Sequence, residues 1–369
     1  MTSNEKSASS LSHYIIGNNC YRRTNLKIKI INPLQYVQWD DVLLNHPDAT
    51  VFHSSRWAKV LCESYGYEPV YFAAFENGYP KFLLPFMDIK STLTGRRGVS
   101  LPFTDYCGVI LPDGDAVPGY FAMAESFGRQ IGWKYFEVRS DLYIADSIEA
   151  SMTFYRHLLT LNKGEKSLWA GLRDSTRRNI KKAVNAGIIV VRENSSEALS
   201  QFYRLNCMTR KRHGLPPQPF RYFEKLFEHI LSKGFGVVAL AYHGKKIISA
   251  NIYLHFGHQA IFKYGASNPR YQSLRANNLL QWEMIRWYVN NGFEQFCFGR
   301  TEVDNAGLLQ FKRGWGADET IIAYHRYNFE NAAFVKSTPQ VGRLQKRLFG
   351  SMPLSILGLC GKFLYKHIG

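Results

Sequence analysis

The sequence lacks the cysteine pairs that hold a disulfide framework or a zinc ion. Its six cysteines are scattered over 369 residues, with no C-x-x-C pair and no histidine at metal-ligand spacing. We therefore expect reduced thiols in a cytosolic compartment and no metal site. Apolar runs of the roughly 20 residues that a membrane-spanning helix needs are also missing.

Acidic residues are scarce compared with basic ones. Lysine and arginine number 46 and aspartate and glutamate 29, which gives a net charge of +17. This balance favours anionic partners, such as a CoA-like pyrophosphate, nucleic acid or a phospholipid surface, without choosing among them. The hydrophobic content of 46% is enough for the core of one large or two medium domains.

The segment from residue 260 to residue 317 has the pattern of a strand, a turn, a helix and a second strand. An apolar and aromatic run stops at Gly265, residues 276–291 have helical spacing, and residues 293–298 form the second predicted strand. Polar residues follow both strands, where α/β sheets commonly bind ligands. We expect the functional site there.

The same order of elements occurs twice, about 160 residues apart, with little identity between the copies. The pattern predicts an α/β (α+β) fold of two domains, at 27–165 and 166–330, each a mixed, mostly antiparallel sheet flanked by helices. Residues 1–26, rich in Ser and Asn, are predicted to be a disordered segment and not a secretory signal. Residues 331–369 form a basic amphipathic tail.

Five stretches carry a resemblance to a known family. They are SLWAGLRDSTRRNIKKAVNAG (167–187), TRKRHGLPP (209–217), YGAS (264–267), CFGRT (297–301) and GLLQFKRGWG (307–316). In this order they resemble the Fem-type branch of the GNAT acyltransferase superfamily, in particular FemAB-related proteins associated with exopolysaccharide gene clusters. The resemblance spans about residues 28–325. It implies tandem GNAT-like domains and transfer of an acyl or aminoacyl group to an amine or hydroxyl, without a metal or redox cofactor.

Candidate catalytic residues follow the second predicted strand. Glu302 or Asp304 could serve as the general base, or either could be an ordinary loop carboxylate that pairs with the substrate-binding candidate Arg300. The resemblance assigns Lys312 to the stabilisation of charge that develops near the transferred carbonyl. The alternative is a snorkelling surface lysine that happens to lie between Phe311 and Trp315 in the sequence.

Further candidates for substrate binding lie outside this strand. Arg177, Arg178 and Lys181 share one broad helical face that could clamp phosphates, or could simply be solvated. Tyr264 and Asn277 are candidate substrate contacts. Asp105, in a polar and aromatic loop of the first domain, could line an acceptor groove or belong to a structural turn.

The donor stays open at this stage. GNAT enzymes hold the CoA pyrophosphate on a Q/R-x-x-G-x-G/A loop, and residues 270–276 (RYQSLRA) lack its glycines. Fem-type enzymes use aminoacyl-tRNA and lack that loop too, so acyl-CoA and aminoacyl-tRNA both remain candidate co-substrates, and no tightly bound cofactor is expected.

The expected acceptor is a saccharide or lipid-linked precursor of the cell envelope. The basic tail could anchor the protein on anionic lipid at the inner face of the membrane, or could dock on the protein itself. The competing hypothesis is a non-catalytic RNA- or membrane-binding scaffold of the same fold, which the net charge favours and which no RNA-binding motif supports.

Overall fold

A computed structural model of the chain describes residues 27–112, 118–140, 148–336 and 343–369. The predicted disordered segment 1–26 lies outside these residues. The described strands are β1 (Lys29–Ile31), β2 (Glu68–Glu76), β3 (Tyr79–Ile89), β4 (Arg97–Val99), β5 (Tyr135–Ser140), β6 (Met152–Thr160), β7 (Ile188–Glu193), β8 (Gly236–His243), β9 (Lys246–Phe256), β10 (Gln259–Ser267), β11 (Gln295–Glu302), β12 (Asp318–Asn328) and β13 (Ala333–Phe334).

The helices accompany these strands in both halves. They are α1 (Trp39–Leu44), α2 (Ser55–Tyr65), α3 (Pro118–Ile131), α4 (Gly164–Gly171), α5 (Asp174–Asn185), α6 (Ser196–Arg212), α7 (Phe220–His229), α8 (Ala276–Asn290), α9 (Ala306–Arg313), α10 (Arg343–Ser351) and α11 (Leu354–Ile368). Within the described ranges, no helix is both long enough and apolar enough to cross a membrane.

All of these strands join one sheet, in the order β1-β2-β3-β4-β5-β12-β6-β11-β10-β9-β8-β7, with β13 beside β12. Each half has four antiparallel strands that lead to one parallel pair, β4 with β5 and β10 with β11. Phe136 and Phe296 hold matching positions in those two pairs. The predicted fold class of two similar, mostly antiparallel units is confirmed.

The strands that close the two halves are exchanged. β6 follows β5 in the chain but pairs with β11, and β12 follows β11 but pairs with β5. β6 and β12 also pair with each other at the centre of the sheet. The boundary after residue 165 stays a prediction, and the exchange means that neither half completes its sheet alone.

The core is divided among three clusters. One face of the sheet carries a joint core built from both halves, where helix α2 of the first half packs against α7 of the second. Trp57 and Tyr222 meet there edge to face, with ring centroids 6.4 Å apart. On the opposite face, α3 covers the first half and α8 covers the second. The joint core brings loops of the first half onto strands of the second.

Local sequence signals explain several boundaries. α6 covers 196–212, and it begins after Ser195, whose hydroxyl oxygen accepts a hydrogen bond from the amide of Ala198 at 3.0 Å. The helix predicted at 276–291 is confirmed as α8 and ends before Gly292, which adopts φ +75°. The strand predicted at 293–298 begins two residues later and continues to Glu302 as β11, because β6 extends the pairing.

Candidate active site

The candidate site forms where the parallel strands β10 and β11 separate. They pair from Gln259 to Ile261 on β10, and then each strand is interrupted by an irregularity, between Phe262 and Tyr264 and between Cys297 and Arg300. Gly299 lies inside the second interruption with φ +71°, a conformation that favours glycine. The pairing of β11 with its neighbours is therefore interrupted at Gly299.

A carboxylate from the first half reaches this opening from the joint-core face. The Oδ2 of Asp105 lies 2.6 Å from Nζ of Lys263, and both side chains are largely buried. The Oδ1 of the same carboxylate would lie 3.1 Å from a Cβ at Gly299, so a side chain at that position would crowd it. The first half of the chain thus contributes the carboxylate to a site whose cations come from the second half.

The loop that carries Asp105 is strained. Leu101 and Phe103, on either side of Pro102, have φ values of +53° and +62°, which non-glycine residues rarely adopt. Tyr324 holds the loop by donating its hydroxyl hydrogen to the carbonyl oxygen of Asp105 at 2.6 Å. Such strain persists only where surrounding contacts impose it, and it is frequent at functional sites.

Arg300 is anchored beside this loop. Its Nη1 donates to the hydroxyl oxygen of Tyr324 at 2.6 Å, and its guanidinium lies 4.4 Å from the ring centroid of Phe154. The predicted position of Arg300 at the strand exit is therefore next to the Asp105 loop, with the charge enclosed by aromatic rings.

Lys312 approaches Gly299 from helix α9. Its Nζ donates to the carbonyl oxygens of Gly299 at 2.8 Å and of Arg300 at 3.0 Å. The residue is 2% exposed, so the amine lies inside the protein and does not extend to solvent as a surface lysine would. Its neighbours Phe311 and Trp315 pack in the second-half core.

The site holds more positive than negative charge. The cations of Lys263, Arg300 and Lys312 surround the single carboxylate of Asp105. Burial by itself would raise the pKa of Asp105, but the neighbouring Lys263, followed by Arg300 and Lys312, brings that pKa below its ordinary value. Burial lowers the pKa of Lys312 to about 8, with Asp105 opposing the shift. A further anionic group would be stabilised here.

The two predicted carboxylate bases lie at the rim. Glu302 is the last residue of β11, Asp304 follows it, and both are exposed. Glu302 is close enough to raise the pKa of Arg300 and to oppose the lowering of that of Lys312. The structure thus places these two residues beside the buried cluster and not within it.

The remaining second-half candidates are dispersed. The hydroxyl of Tyr264 lies 2.9 Å from that of Tyr222 on the joint-core side. Asn277, at the start of α8, accepts a hydrogen bond from Ser249. Arg177 donates to the carbonyl oxygen of Ala170 at 2.9 Å and pairs with Asp174, so it is held locally.

The other two basic candidates, Arg178 and Lys181, are exposed on α5. Helix α5 packs on α8, which follows β10 in the chain. These two side chains are therefore free to meet an anionic ligand at the surface, while Arg177 helps to fix the helix.

Sequence reasoning missed Lys263, Asn251 and Gln281. Lys263 had one signal, a charged residue inside an apolar and aromatic strand. Asn251 and Gln281 are both 1% exposed and are linked through the hydroxyl of Tyr253. The Oδ1 of Asn251 and the Nε2 of Gln281 have no hydrogen-bond partner among the described residues.

These two amides lie near the separated strands. The Oδ1 of Asn251 would be 3.3 Å from a Cβ placed on Gly265 of β10, and the ring of Phe262 covers the same glycine. Buried polar atoms normally have hydrogen-bond partners, so these two unpaired atoms are exceptions. The α8 side of β10 therefore carries one unpaired acceptor and one unpaired donor among the described residues.

One cluster of metal-ligand type occurs among the described residues. Glu63, Glu228 and His229 place ligand atoms within 4.8 Å of one another. The Nζ of Lys225 lies 2.7 Å from both carboxylates. An ammonium group already pairs with both carboxylates of this cluster, which lies on α2 and α7.

Comparison with known families identifies the second half. Residues 170–313 match the model described as Acetyltransferase (GNAT) domain, a range that includes Lys263, Arg300 and Lys312. The chain is 26% identical over 89 residues to the aminoacyltransferase FemA of Staphylococcus epidermidis. That match covers 22% of this chain and only 21% of FemA.

Solved structures extend the similarity of fold over most of the chain. FemX aligns with a TM-score of 0.65 at 13% identity, covering 83% of this chain and 98% of FemX. A tandem GNAT protein from the clavulanic acid biosynthesis pathway aligns with a TM-score of 0.53 at 9% identity, covering 85% and 100%. Residues 170–313 thus carry a domain of the GNAT acetyltransferase family, and the chain is similar to Fem-type members of the GNAT superfamily, in sequence to FemA over 89 residues and in fold to FemX over most of its length.

Proposed function

We propose that the protein transfers an acyl or aminoacyl group from an activated donor to an amine or hydroxyl of a cell-envelope or exopolysaccharide precursor. The observation that carries the proposal is the buried cluster around Gly299, in which three cations surround one carboxylate. Acyl transfer passes through a tetrahedral intermediate whose oxygen becomes negative, and a preorganised cationic site stabilises that charge.

Lys312 is the cation that we assign to the oxyanion. Its amine is held by two backbone carbonyls at the strand opening, so it needs no reorganisation when charge develops. Arg300 is committed to Tyr324, and Lys263 to Asp105. Among the described residues, Lys312 is the member of the cluster whose hydrogen bonds go to backbone carbonyls and not to a side chain.

Asp105 is assigned to the acceptor. Since its pKa is lowered, it is ionised at neutral pH and can accept a hydrogen bond from the attacking amine or hydroxyl. A carboxylate so firmly held as an anion is a weak base, and a proton from the amine would leave more readily to the rim, where Glu302 and Asp304 meet solvent. These assignments make the acceptor enter from the side of the first domain.

The donor is assigned to the α8 side of β10. Asn251 and Gln281 supply a free acceptor and a free donor for an amide-containing arm. Asn277 lies at the start of α8 on the side of this arm, and Arg178 and Lys181 on α5 could meet its phosphates. Tyr264 lies on the joint-core face and is assigned to the acceptor side with Asp105. Acyl-CoA and aminoacyl-tRNA both present a long arm with an anionic end.

An acceptor carried on a lipid would require work at a membrane, and we propose a peripheral position on the inner face. A saccharide acceptor without lipid would not require it. The net charge of +17 favours an anionic surface in either case.

A thermal-shift comparison of acetyl-CoA, CoA and a non-hydrolysable aminoacyl-tRNA mimic tests the donor. A ligand that binds only the folded state raises the unfolding midpoint by mass action. A shift with acetyl-CoA or CoA would identify an acyl-CoA enzyme, and a shift only with the mimic would identify aminoacyl transfer. No shift with any of the three would favour another donor or the non-catalytic scaffold.

A further inference from the structure

Helix α11 is fixed to both halves of the protein by one of its faces. On the second-half side, Arg210 donates to the hydroxyl oxygen of Tyr365 at 2.8 Å, and Gly361 lies against the carbonyl of Pro217 so closely that no side chain would fit. On the first-half side, the carbonyl oxygen of His367 accepts from Arg97 at 2.6 Å. This face of α11 therefore docks on the protein itself, as one of the two alternatives for the tail predicted.

The opposite face of α11 is apolar and exposed. Ile356, Leu359 and Phe363 have the i, i+3, i+7 spacing of one helical stripe, and they are 49%, 67% and 54% exposed. Leu354 and Leu348, the latter on α10, are exposed nearby along the chain. Large apolar side chains grouped in this way on a surface mark an interaction site.

Basic side chains accompany the stripe. Lys362 and Lys366 lie four residues apart, and Nζ of Lys366 is 5.6 Å from the ring centroid of Phe363. Lys346 and Arg347 are exposed on α10. From residue 331 to residue 369 the sequence contains no Asp or Glu. A partner for this face must therefore accept both apolar side chains and positive charge.

We propose that the exposed face of α10 and α11 docks on an anionic phospholipid bilayer. Headgroups of negative charge complement the lysines, and the acyl boundary below them accepts Leu359 and Phe363. A second copy of the chain is a poorer occupant, because two such faces would bring their lysines together without any carboxylate between them. The inference deepens the membrane position proposed above and does not depend on which donor is used.

Vesicle flotation tests the proposal directly. The intact protein should float with phosphatidylcholine vesicles that contain phosphatidylglycerol and not with phosphatidylcholine alone, and binding should weaken as salt is raised. The variant Leu359→Ser/Phe363→Ser should bind at least about tenfold more weakly. The variant Lys362→Gln/Lys366→Gln should lose about fivefold per lysine.

Two matched variants control for loss of surface apolarity and of charge. Ile189→Ser/Ile321→Ser removes apolar side chains of 63% and 61% exposure elsewhere, and Lys245→Gln/Lys246→Gln removes two exposed lysines from the β8–β9 turn. Both should float like the wild-type protein. Equal effects of control and test variants would overturn the proposal, as would an absence of wild-type binding.

Two further readouts separate the remaining outcomes. A wild-type dimer that dissociates in Leu359→Ser/Phe363→Ser, measured by light scattering, would show that a second copy covers the face and would overturn the lipid assignment. Transfer to a water-soluble acceptor should be unchanged in the α11 variants. Loss of vesicle binding and loss of transfer are thus independent results, and an inactive wild-type protein that still binds vesicles would count against the proposed function alone.

Discussion

The two halves have the same strand arrangement, but different side chains fill the junction of the parallel strands, which is β4 with β5 in the first half and β10 with β11 in the second. In the first half, the ring of Trp133 packs on Gly98 of β4 so closely that a Cβ there would lie 2.3 Å from it. The indole nitrogen of Trp133 donates to Asp88 at 2.8 Å. In the second half, β10 and β11 separate, and one polar atom in each of two buried amides nearby lacks a hydrogen-bond partner among the described residues. The first junction is closed by its own side chains.

The partners of the buried carboxylate also differ between the two junctions. Glu137 of β5 is held by two arginines, with Nε of Arg139 at 2.8 Å and Nη2 of Arg326 at 2.6 Å. Arginine keeps its proton and fixes a carboxylate with several donors, whereas the pKa of a buried lysine shifts readily. The second half uses Lys263 and Lys312 around one carboxylate that it borrows from the first. This contrast is why we assign the chemistry to the second half and a supporting role to the first.

The largest expected effect comes from removing one cation beside each junction, Lys312 near Gly299 and Arg326, which the exchanged strand β12 brings to Glu137. Lys312→Met should lower the turnover number by about 10²–10³-fold, because the oxyanion loses its preorganised charge. Arg326→Met should lower the free energy of unfolding by about 3 kcal/mol and leave turnover nearly unchanged, because Glu137 loses a partner. Single-turnover kinetics and thermal unfolding of both variants measure the difference. Equal turnover losses would remove the distinction between the halves.

Removing the carboxylates gives the next largest effect. Asp105→Asn leaves the buried Lys263 without its partner and should cost about 3–5 kcal/mol of stability together with most activity. The double variant Asp105→Asn/Lys263→Met should recover much of the stability, since no buried charge is left unpaired, and none of the activity. Denaturant titration and transfer assays follow both quantities. Recovery of activity in the double variant would show that Asp105 acts only in folding.

The pH dependence of the turnover number tests whether transfer requires the ammonium form of Lys312. Burial lowers the pKa of Lys312 to about 8, so the ammonium is present below that pH and is lost above it. If transfer requires the ammonium, the turnover number should fall about tenfold per pH unit on the alkaline side. In Lys312→Arg this alkaline decline should disappear, whatever the absolute rate, because arginine keeps its charge.

Stability should change in the opposite direction over the same range. The pKa of Lys312 lies below its ordinary value of 10.5, so the unfolded state binds more protons between about pH 8 and 10.5. The contribution of this group to the free energy of unfolding therefore rises with pH while activity falls. A parallel fall of both would indicate general alkaline unfolding instead.

The sequence predicted features that depend on local pattern. α8 was recognised from helical spacing with a terminating Gly, and the duplicated order of elements from their repetition. The exchange of β6 and β12 depends on pairing between distant segments, for which the local pattern carries no signal. For that reason the sequence did not predict that β6 and β12 join the two halves in one sheet.

The candidate site shows the same limit. Arg300 and Lys312 were found from motifs, and Asp105 from its polar loop. Lys263 was missed, because a lysine in an aromatic strand becomes informative only when a carboxylate of another domain is known to lie 2.6 Å away. Glu302 and Asp304 were favoured by their position after the strand, and the structure leaves them exposed at the rim. Their role as bases stays a prediction.

The smallest expected effect compares one glycine from each junction. In Gly98→Ala the new methyl group meets the rigid ring of Trp133, so we expect a loss of about 1–3 kcal/mol of stability and little change in donor binding. In Gly265→Ala the nearest atoms belong to the end of Phe262, which can turn aside. Stability should then hold, and the Michaelis constant for the donor should rise several-fold, because the displaced ring narrows the lining formed with Asn251. A Gly265→Ala variant with unchanged donor affinity would move the donor away from β10 and leave the two junctions alike in function.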